Sequence, residues 1–313
     1  ACKTRLKGAP QPMAKTPTFM IIGAARSGTT ALYDLVRQHP DVFMSAIKEP
    51  NYFAFEGEPL DWHGPGNEFV NNSVARWEEY TALFADAPDG MAMGEASPLY
   101  LWAPQAPQRI RARLPDVKMI AVLRNPIEQA FSHYLYARAQ MIEPLDDFDA
   151  ALKAEPERLA AHWQPLFQYS TFPRYAEQLA RYNAEFPKEQ LQIFLYEDYR
   201  GDPKTMLSRI YDFIGVDPAF VPDLSHETNM GGQPRHQWLQ NLVMRPNPIA
   251  SLAALVVPES ARRTIRDMVS RRNLARDTMS PATKAWLTNA LKDDISQLQD
   301  MIGRDLSHWL EQE

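Results

Sequence analysis

Residues 18–30 read Thr18-Phe19-Met20-Ile21-Ile22-Gly23-Ala24-Ala25-Arg26-Ser27-Gly28-Thr29-Thr30. The apolar run over 18–22 stops at Gly23, which predicts a short strand buried on both faces. Leu32, Leu35 and Val36 then recur at helical spacing, and the pattern ends before His39-Pro40. Strand, glycine turn, helix is the opening of an α/β fold. Two glycines let such a turn fold tightly, with successive N–H groups turned inward as a nest for an anion. The following helix adds unpaired amides and the positive end of its dipole. Arg26 adds a full charge, and Thr29 and Thr30 add hydroxyl donors. A turn with no ligand is the plain alternative, and the cation with two hydroxyls favours phosphate binding over it.

The rest of the chain extends the pattern. Residues 117–123 (VKMIAVL) form a second buried strand, followed by a helix with Asn125 as cap and Pro126 at its first position. A helix over 173–186 runs into a strand over 191–195, and a further helix over 204–214 ends at Gly215. Residues 51–89 lack clear periodicity and read as an inserted loop with short helices. From residue 258 onward the chain reads as helical, with Leu287, Leu291, Ile295, Leu298 and Ile302 as one apolar stripe ending near Gly303. The expected fold is α/β: a P-loop-like central parallel sheet flanked by helices, with a mostly helical C-terminal portion. Residues 1–16 read as a disordered tail and 17–313 as a single domain. Ligands on such sheets bind beyond the carboxyl ends of the strands.

Composition bounds the partners. The formal net charge of −6 argues against a general nucleic-acid binder, while a local pocket can still oppose that sign. The one cysteine, Cys2, excludes an intrachain disulfide and fits a reducing, cytoplasmic setting. No apolar stretch is long enough to span a bilayer. Proline, 26 of 313 residues, points to many ordered loops. Oligomeric state is not legible.

The nucleotide-triphosphatase form of the loop has lysine directly after its second glycine. Here that position is Thr29, and the cation sits at Arg26 instead. That departure resembles the sulfotransferase family that uses 3′-phosphoadenosine-5′-phosphosulfate (PAPS), whose loop reads basic-Ser-Gly-Thr-Thr after the first strand. The resemblance implies that Arg26, Ser27, Gly28, Thr29 and Thr30 hold the 5′-phosphosulfate, with no metal required and the bisphosphate nucleotide PAP as product. Arginine stays charged and can fork onto a phosphate, so it can fill the lysine's role.

Arg124 ends a strand, and two helical turns bring Ser132 back to the face of the cap residue Asn125. The two can converge on one oxyanion; a surface ion pair and an exposed serine are the plain alternative. The stretch 123–138 (LRNPIEQAFSHYLYAR) resembles the family's 3′-phosphate motif, which implies that role for Arg124 and Ser132. Tyr196 resembles a tyrosine beside the adenine in cytosolic members, with a core tyrosine as the equal alternative. Arg235 stands near the place where a family loop closes on the 3′-phosphate.

Lys48-Glu49-Pro50-Asn51-Tyr52-Phe53 resembles the Glu-Pro-aromatic motif of carbohydrate sulfotransferases, which implies that Glu49 is the general base. Pro50 biases Glu49 toward extended backbone. An acceptor must lose a proton as it attacks, and a carboxylate in reach can take it. Lys48 can stabilise charge on the bridging oxygen or simply be solvated. No histidine matches the base of the cytosolic members, so His63, His133 and His162 read as structural or exposed. Heparan-type enzymes have a histidine where this chain has Asn51 and a lysine where it has Ala96. The implied acceptor is a carbohydrate, lipid or small molecule carrying a hydroxyl or amine. Two other readings stay open. One is a P-loop kinase or nucleotide triphosphatase, with Glu197-Asp198 as magnesium-holding acids; the other is a non-catalytic anion-binding protein. The arginines between 262 and 276 read as a solvated helix face.

Overall fold

The computed structural model describes residues 14–225, 233–234, 274–275 and 278–311. Five strands form one parallel sheet: β1 (Phe19–Gly23), β2 (Val42–Met44), β3 (Ala92–Ala96), β4 (Lys118–Leu123) and β5 (Leu191–Leu195). Their order across the sheet is β2-β3-β1-β4-β5.

The apolar run of β1 is continuous because both of its faces are covered. Phe19 and Ile21 point to one side, where they meet Leu32 and Val36 of helix Thr29–Val36 and Ile210 of helix Pro203–Ile214. Met20 and Ile22 point to the other side, toward Tyr100, Tyr134 and Leu179. The same cluster takes in Leu287, Leu291, Ile295 and Leu298 of the C-terminal helix Pro281–Ile302, the stripe legible in the sequence. All four β1 side chains are fully buried, each contributing about 1.5–3 kcal/mol of hydrophobic stabilisation.

Local signals set the helix ends. Asn125 Oδ1 accepts from the N–H groups of Ile127 (3.0 Å) and Glu128 (3.4 Å), and Pro126 opens helix Pro126–Ala139. Ser280 Oγ caps the C-terminal helix through Thr283 N–H at 3.0 Å, and Gly303 ends it with φ of 64°. The insertion after β2 carries three short helices, Tyr52–Phe55, Glu68–Asn71 and Trp77–Ala82. Its aromatics Tyr52, Phe53 and Phe55 are core, packed with Tyr80 and Tyr100.

Three features depart from expectation. β3 is a central strand although Gly94 and Glu95 interrupt its apolar character. Helices Ala106–Arg113 and Phe148–Ala160 also form where no clear pattern was read. Leu274–Ala275, expected helical, pairs antiparallel with Gln233–Pro234 instead. That partner is far off in sequence and leaves no mark on local periodicity. Arg235 and all the arginines between 262 and 276 fall outside the described residues.

The chain passes from β1 to β2 and β3 on one side and to β4 and β5 on the other. The order therefore reverses at β1 and β4, and a crevice opens above their carboxyl ends. Among the described residues, no helix is long and apolar enough to cross a membrane.

Candidate active site

Three strand ends converge on a cavity of about 900 Å³. The turn after β1 supplies Arg26, Gly28, Thr29 and Thr30, and the end of β4 supplies Arg124 with Ser132 one helix face further on. The end of β5 supplies Tyr196, Tyr199 and Arg200, and the C-terminal segment adds Lys284, His308 and Trp309.

Gly28 caps helix Thr29–Val36 with φ of 91°, a left-handed backbone that glycine adopts without strain. A Cβ there would stand 3.3 Å from Tyr196 Cε2, so glycine also leaves room for that ring. The Arg26 guanidinium carbon lies 4.4 Å from the centre of the Tyr136 ring. Its Nε is buried with no hydrogen-bond partner. Burial is the main cause pushing this guanidinium below its ordinary value; Arg124 adds to the effect, while Tyr136 and Glu49 oppose it. A cation held this way has donor capacity ready for an anion.

Arg124 donates from Nε (3.1 Å) and Nη2 (2.9 Å) to Glu128 Oε2, and its guanidinium carbon lies 5.1 Å from the Tyr196 ring centre. Arg124, Ser132 and Tyr196 all line the cavity. Ser27 is placed elsewhere. Its N–H donates to the Ala24 carbonyl at 3.2 Å, and its fully buried side chain lies beside the Tyr175 hydroxyl, outside the cavity lining.

Lys48 and Glu49 follow β2 and do not line the cavity either, but they stand close to its Arg26 end. The Glu49 charge bears on Arg26, Tyr136 and Glu95, and Lys48 Nζ pairs with Glu49 Oε1. The expected extended backbone at Glu49 is not found. Glu49 has φ of 64° and Asn51 φ of 55°, both left-handed. Tertiary hydrogen bonds override the preference imposed by Pro50: Glu49 N–H donates to the Ala96 carbonyl at 2.9 Å, and Asn51 N–H to Ser97 Oγ at 3.1 Å.

Two further buried groups adjoin this end. Glu95, at the end of β3, accepts from Tyr80 Oη at 3.0 Å and Ser97 Oγ at 2.7 Å. Burial pushes its carboxyl up to about 7, against the opposing hydrogen bonds of Tyr100, Ser97 and Tyr80. Burial and then Arg26 push His133 down to about 3, so its imidazole is neutral, as suits a structural residue. His63 and His162 are exposed. Sequence reasoning missed Tyr136, although it stands one helical turn beyond Ser132 and shares its face. It missed Lys284 of helix Pro281–Ile302 and His308 of the short turn Ser307–Leu310 too, which are remote in sequence and carry no loop signature. Glu197 accepts from Trp309 Nε1 at 2.8 Å, and Asp198 holds Arg304 at 2.6 and 3.0 Å. Those two acids therefore fasten the C-terminal segment.

A family model described as the sulfotransferase domain matches residues 16–230. Over 216 residues the chain is 28% identical to bifunctional heparan sulfate N-deacetylase/N-sulfotransferase 4 of Mus musculus, covering 65% of this chain and 23% of that protein. Over 201 residues it is 29% identical to heparan sulfate glucosamine 3-O-sulfotransferase 6 of Homo sapiens, covering 64% and 52%. The chain thus spans about a quarter to a half of the length of these curated relatives. Among solved structures, a sulfotransferase from Alicyclobacillus acidocaldarius is 30% identical with a TM-score of 0.74, covering 95% of this chain and all of that one. The family model spans more than half of this chain, which belongs to the sulfotransferase domain family.

Proposed function

We propose that this protein transfers a sulfuryl group from PAPS to a hydroxyl or amine of a carbohydrate, lipid or small-molecule acceptor. The observation that carries the reading is the convergence of Arg26, Arg124 and the start of helix Thr29–Val36 on one cavity, with the Glu49 charge felt at Arg26. The residues fit an anionic nucleotide. Arg26 Nε is buried without a partner, and Arg124, Thr29, Thr30 and Ser132 add a cation and hydroxyls suited to phosphate oxygens.

When bound, the nucleotide supplies the sulfuryl group and a phosphate leaving group. Arg26, with the amides and hydroxyls of Gly28, Thr29 and Thr30, holds the 5′ end and stabilises the negative charge that collects there. Arg124 and Ser132 hold the 3′-phosphate, and Tyr196 flanks the base. Arg235 belongs to this proposal by resemblance alone. Ser27 would contribute only through backbone conformation, given its burial. Glu49 takes the proton of the attacking group, and Lys48 tempers the charge beside it. Residues 17–313 would act as one unit, because a single core cluster joins β1 to the C-terminal helix.

The relatives named above act on heparan sulfate by name. Here Asn51 and Ala96 occupy the positions of two polar residues in such enzymes, and both side chains are buried. That supports an acceptor other than a heparan chain. The test is transfer of label from [35S]PAPS to a panel of sugars, lipids and phenols, with and without a chelator. Labelled product in the presence of the chelator is expected. Magnesium-dependent consumption of ATP, with no labelled product from any acceptor, would overturn the proposal in favour of a kinase.

A further inference from the structure

Glu49 and Asn51 both adopt left-handed backbone, which non-glycine residues hold only where surrounding contacts over-determine it. The contacts here come from the end of β3. The Ala96 carbonyl accepts from Glu49 N–H at 2.9 Å. Ser97 Oγ accepts from Asn51 N–H at 3.1 Å, and the single Ser97 hydroxyl hydrogen goes to Glu95 Oε2 at 2.7 Å. With its hydrogen committed to Glu95, the Ser97 oxygen presents a lone pair to Asn51. Ser97 is itself fixed to β1, since its N–H donates to the Ile21 carbonyl at 3.0 Å. Glu95 is fully buried, and the hydroxyl of Tyr80 fixes its second oxygen at 3.0 Å. The groups facing Glu95 are therefore Tyr80 from helix Trp77–Ala82, Tyr100 from helix Leu99–Trp102, Ser97 beside it, Tyr182 from helix Tyr175–Glu185, and Glu49.

We propose that Glu95 and Ser97 form a buried brace that sets the direction of the Glu49 side chain, making them positioning residues for the transfer reaction. The inference rests on the reading of Glu49 as general base. A carboxylate misplaced by about 1 Å loses about a hundredfold in rate while the nucleotide cavity is untouched. The brace also explains a charged residue in the middle of a parallel sheet, where an apolar side chain would otherwise be expected.

The test uses Ser97→Ala and Ser97→Thr in the full chain, with two readouts. Amide hydrogen exchange at residues 48–52 reports the brace directly. Steady-state kinetics with PAPS, together with calorimetry of PAP binding, reports its consequence. Ser97→Ala should speed exchange at the Asn51 amide and lower kcat ten- to a hundredfold, with PAP affinity unchanged. Ser97→Thr, which keeps the hydroxyl, should retain both. Unchanged exchange at Asn51 in Ser97→Ala, whatever the activity, overturns the brace. Faster exchange with unchanged kcat overturns the positioning role. Failure of the base reading looks different: Glu49→Gln then keeps full turnover, while Ser97→Ala still shows faster exchange. A Glu95→Leu variant, which keeps similar volume but removes the acceptor that holds the Ser97 hydroxyl, supplies the same readouts should Ser97→Ala not fold.

Discussion

The guanidinium carbon of Arg26 stands 4.4 Å from the centre of the Tyr136 ring, so one aromatic face carries a cation that lines the strand-end cavity. The ring's negative face holds a cation without offering a hydrogen bond, which leaves the guanidinium donors for a ligand. Tyr136→Phe keeps the face, and PAP affinity should stay within about twofold. Tyr136→Leu removes it and should weaken PAP binding by about 0.5–2 kcal/mol, measured by calorimetry. Equal affinities for the two variants would show that the ring does not hold Arg26 for the nucleotide.

Arg124 and Glu128 give a two-sided prediction. Arg124→Ala should weaken PAP by about 1.5–3 kcal/mol and leave a nucleotide lacking the 3′-phosphate nearly unaffected. Glu128 already occupies two Arg124 donors at 3.1 and 2.9 Å and would compete with a phosphate for them. Glu128→Gln should therefore tighten PAP binding. Equal losses for both nucleotides in Arg124→Ala would remove Arg124 from the 3′-phosphate.

Glu49→Gln separates binding from chemistry. The Glu49 charge bears on Arg26, yet the residue lies outside the lining of the cavity, so PAP affinity should hardly change. Turnover should fall by about 10²–10⁴, the usual contribution of a positioned base. An already ionised acceptor should recover part of the loss. Turnover within a few-fold of wild type would transfer the search for a base to Glu95.

Buried Glu95 links pH to stability. Its carboxyl is raised from 4.5 to about 7 in the folded protein. Below the unfolded value both states hold the proton, and between the two values the folded state alone keeps it. Stability from this group is thus full at low pH and is lost as pH rises through about 7. Glu155, also raised to about 7, acts in the same direction. His133, lowered from 6.5 to about 3, acts oppositely: its contribution is present above 6.5 and lost as pH falls. Urea midpoints across this range should show a smaller decline with rising pH in Glu95→Gln than in wild type. Parallel curves for the two proteins would contradict a raised Glu95.

Strands β1 and β4 were legible because burial on both faces demands nearly unbroken apolar runs, and β5, a partly buried edge strand, because it follows a helix in the alternating pattern. β3 was not, for a reason visible at two residues. A Cβ on Gly94 would stand 2.2 Å from Phe19 Cζ, so the neighbouring ring demands a glycine. Glu95 is tolerated because Tyr80 and Ser97 satisfy it, and neither partnership leaves a periodic trace in the sequence. The cavity-lining residues Arg26, Gly28, Thr29, Thr30, Arg124 and Ser132 stood out because loop geometry ties them to short motifs. The backbone of Glu49 was misjudged because the preference before Pro50 is local, whereas the hydrogen bonds from Ala96 and Ser97 are not.

The C-terminal segment closes the cavity through Trp309 and is pinned by Glu197 and Asp198, near the end of β5. On the ribosome, the loop and all five strands emerge well before Lys284, His308 and Trp309. The nascent chain therefore passes through an interval in which its sheet is complete but its cavity lacks one wall. Helices Pro126–Ala139 and Tyr175–Glu185 also present an apolar face that the C-terminal helix later covers. During synthesis, that apolar face stays open to chaperones until residues 281–302 leave the exit tunnel.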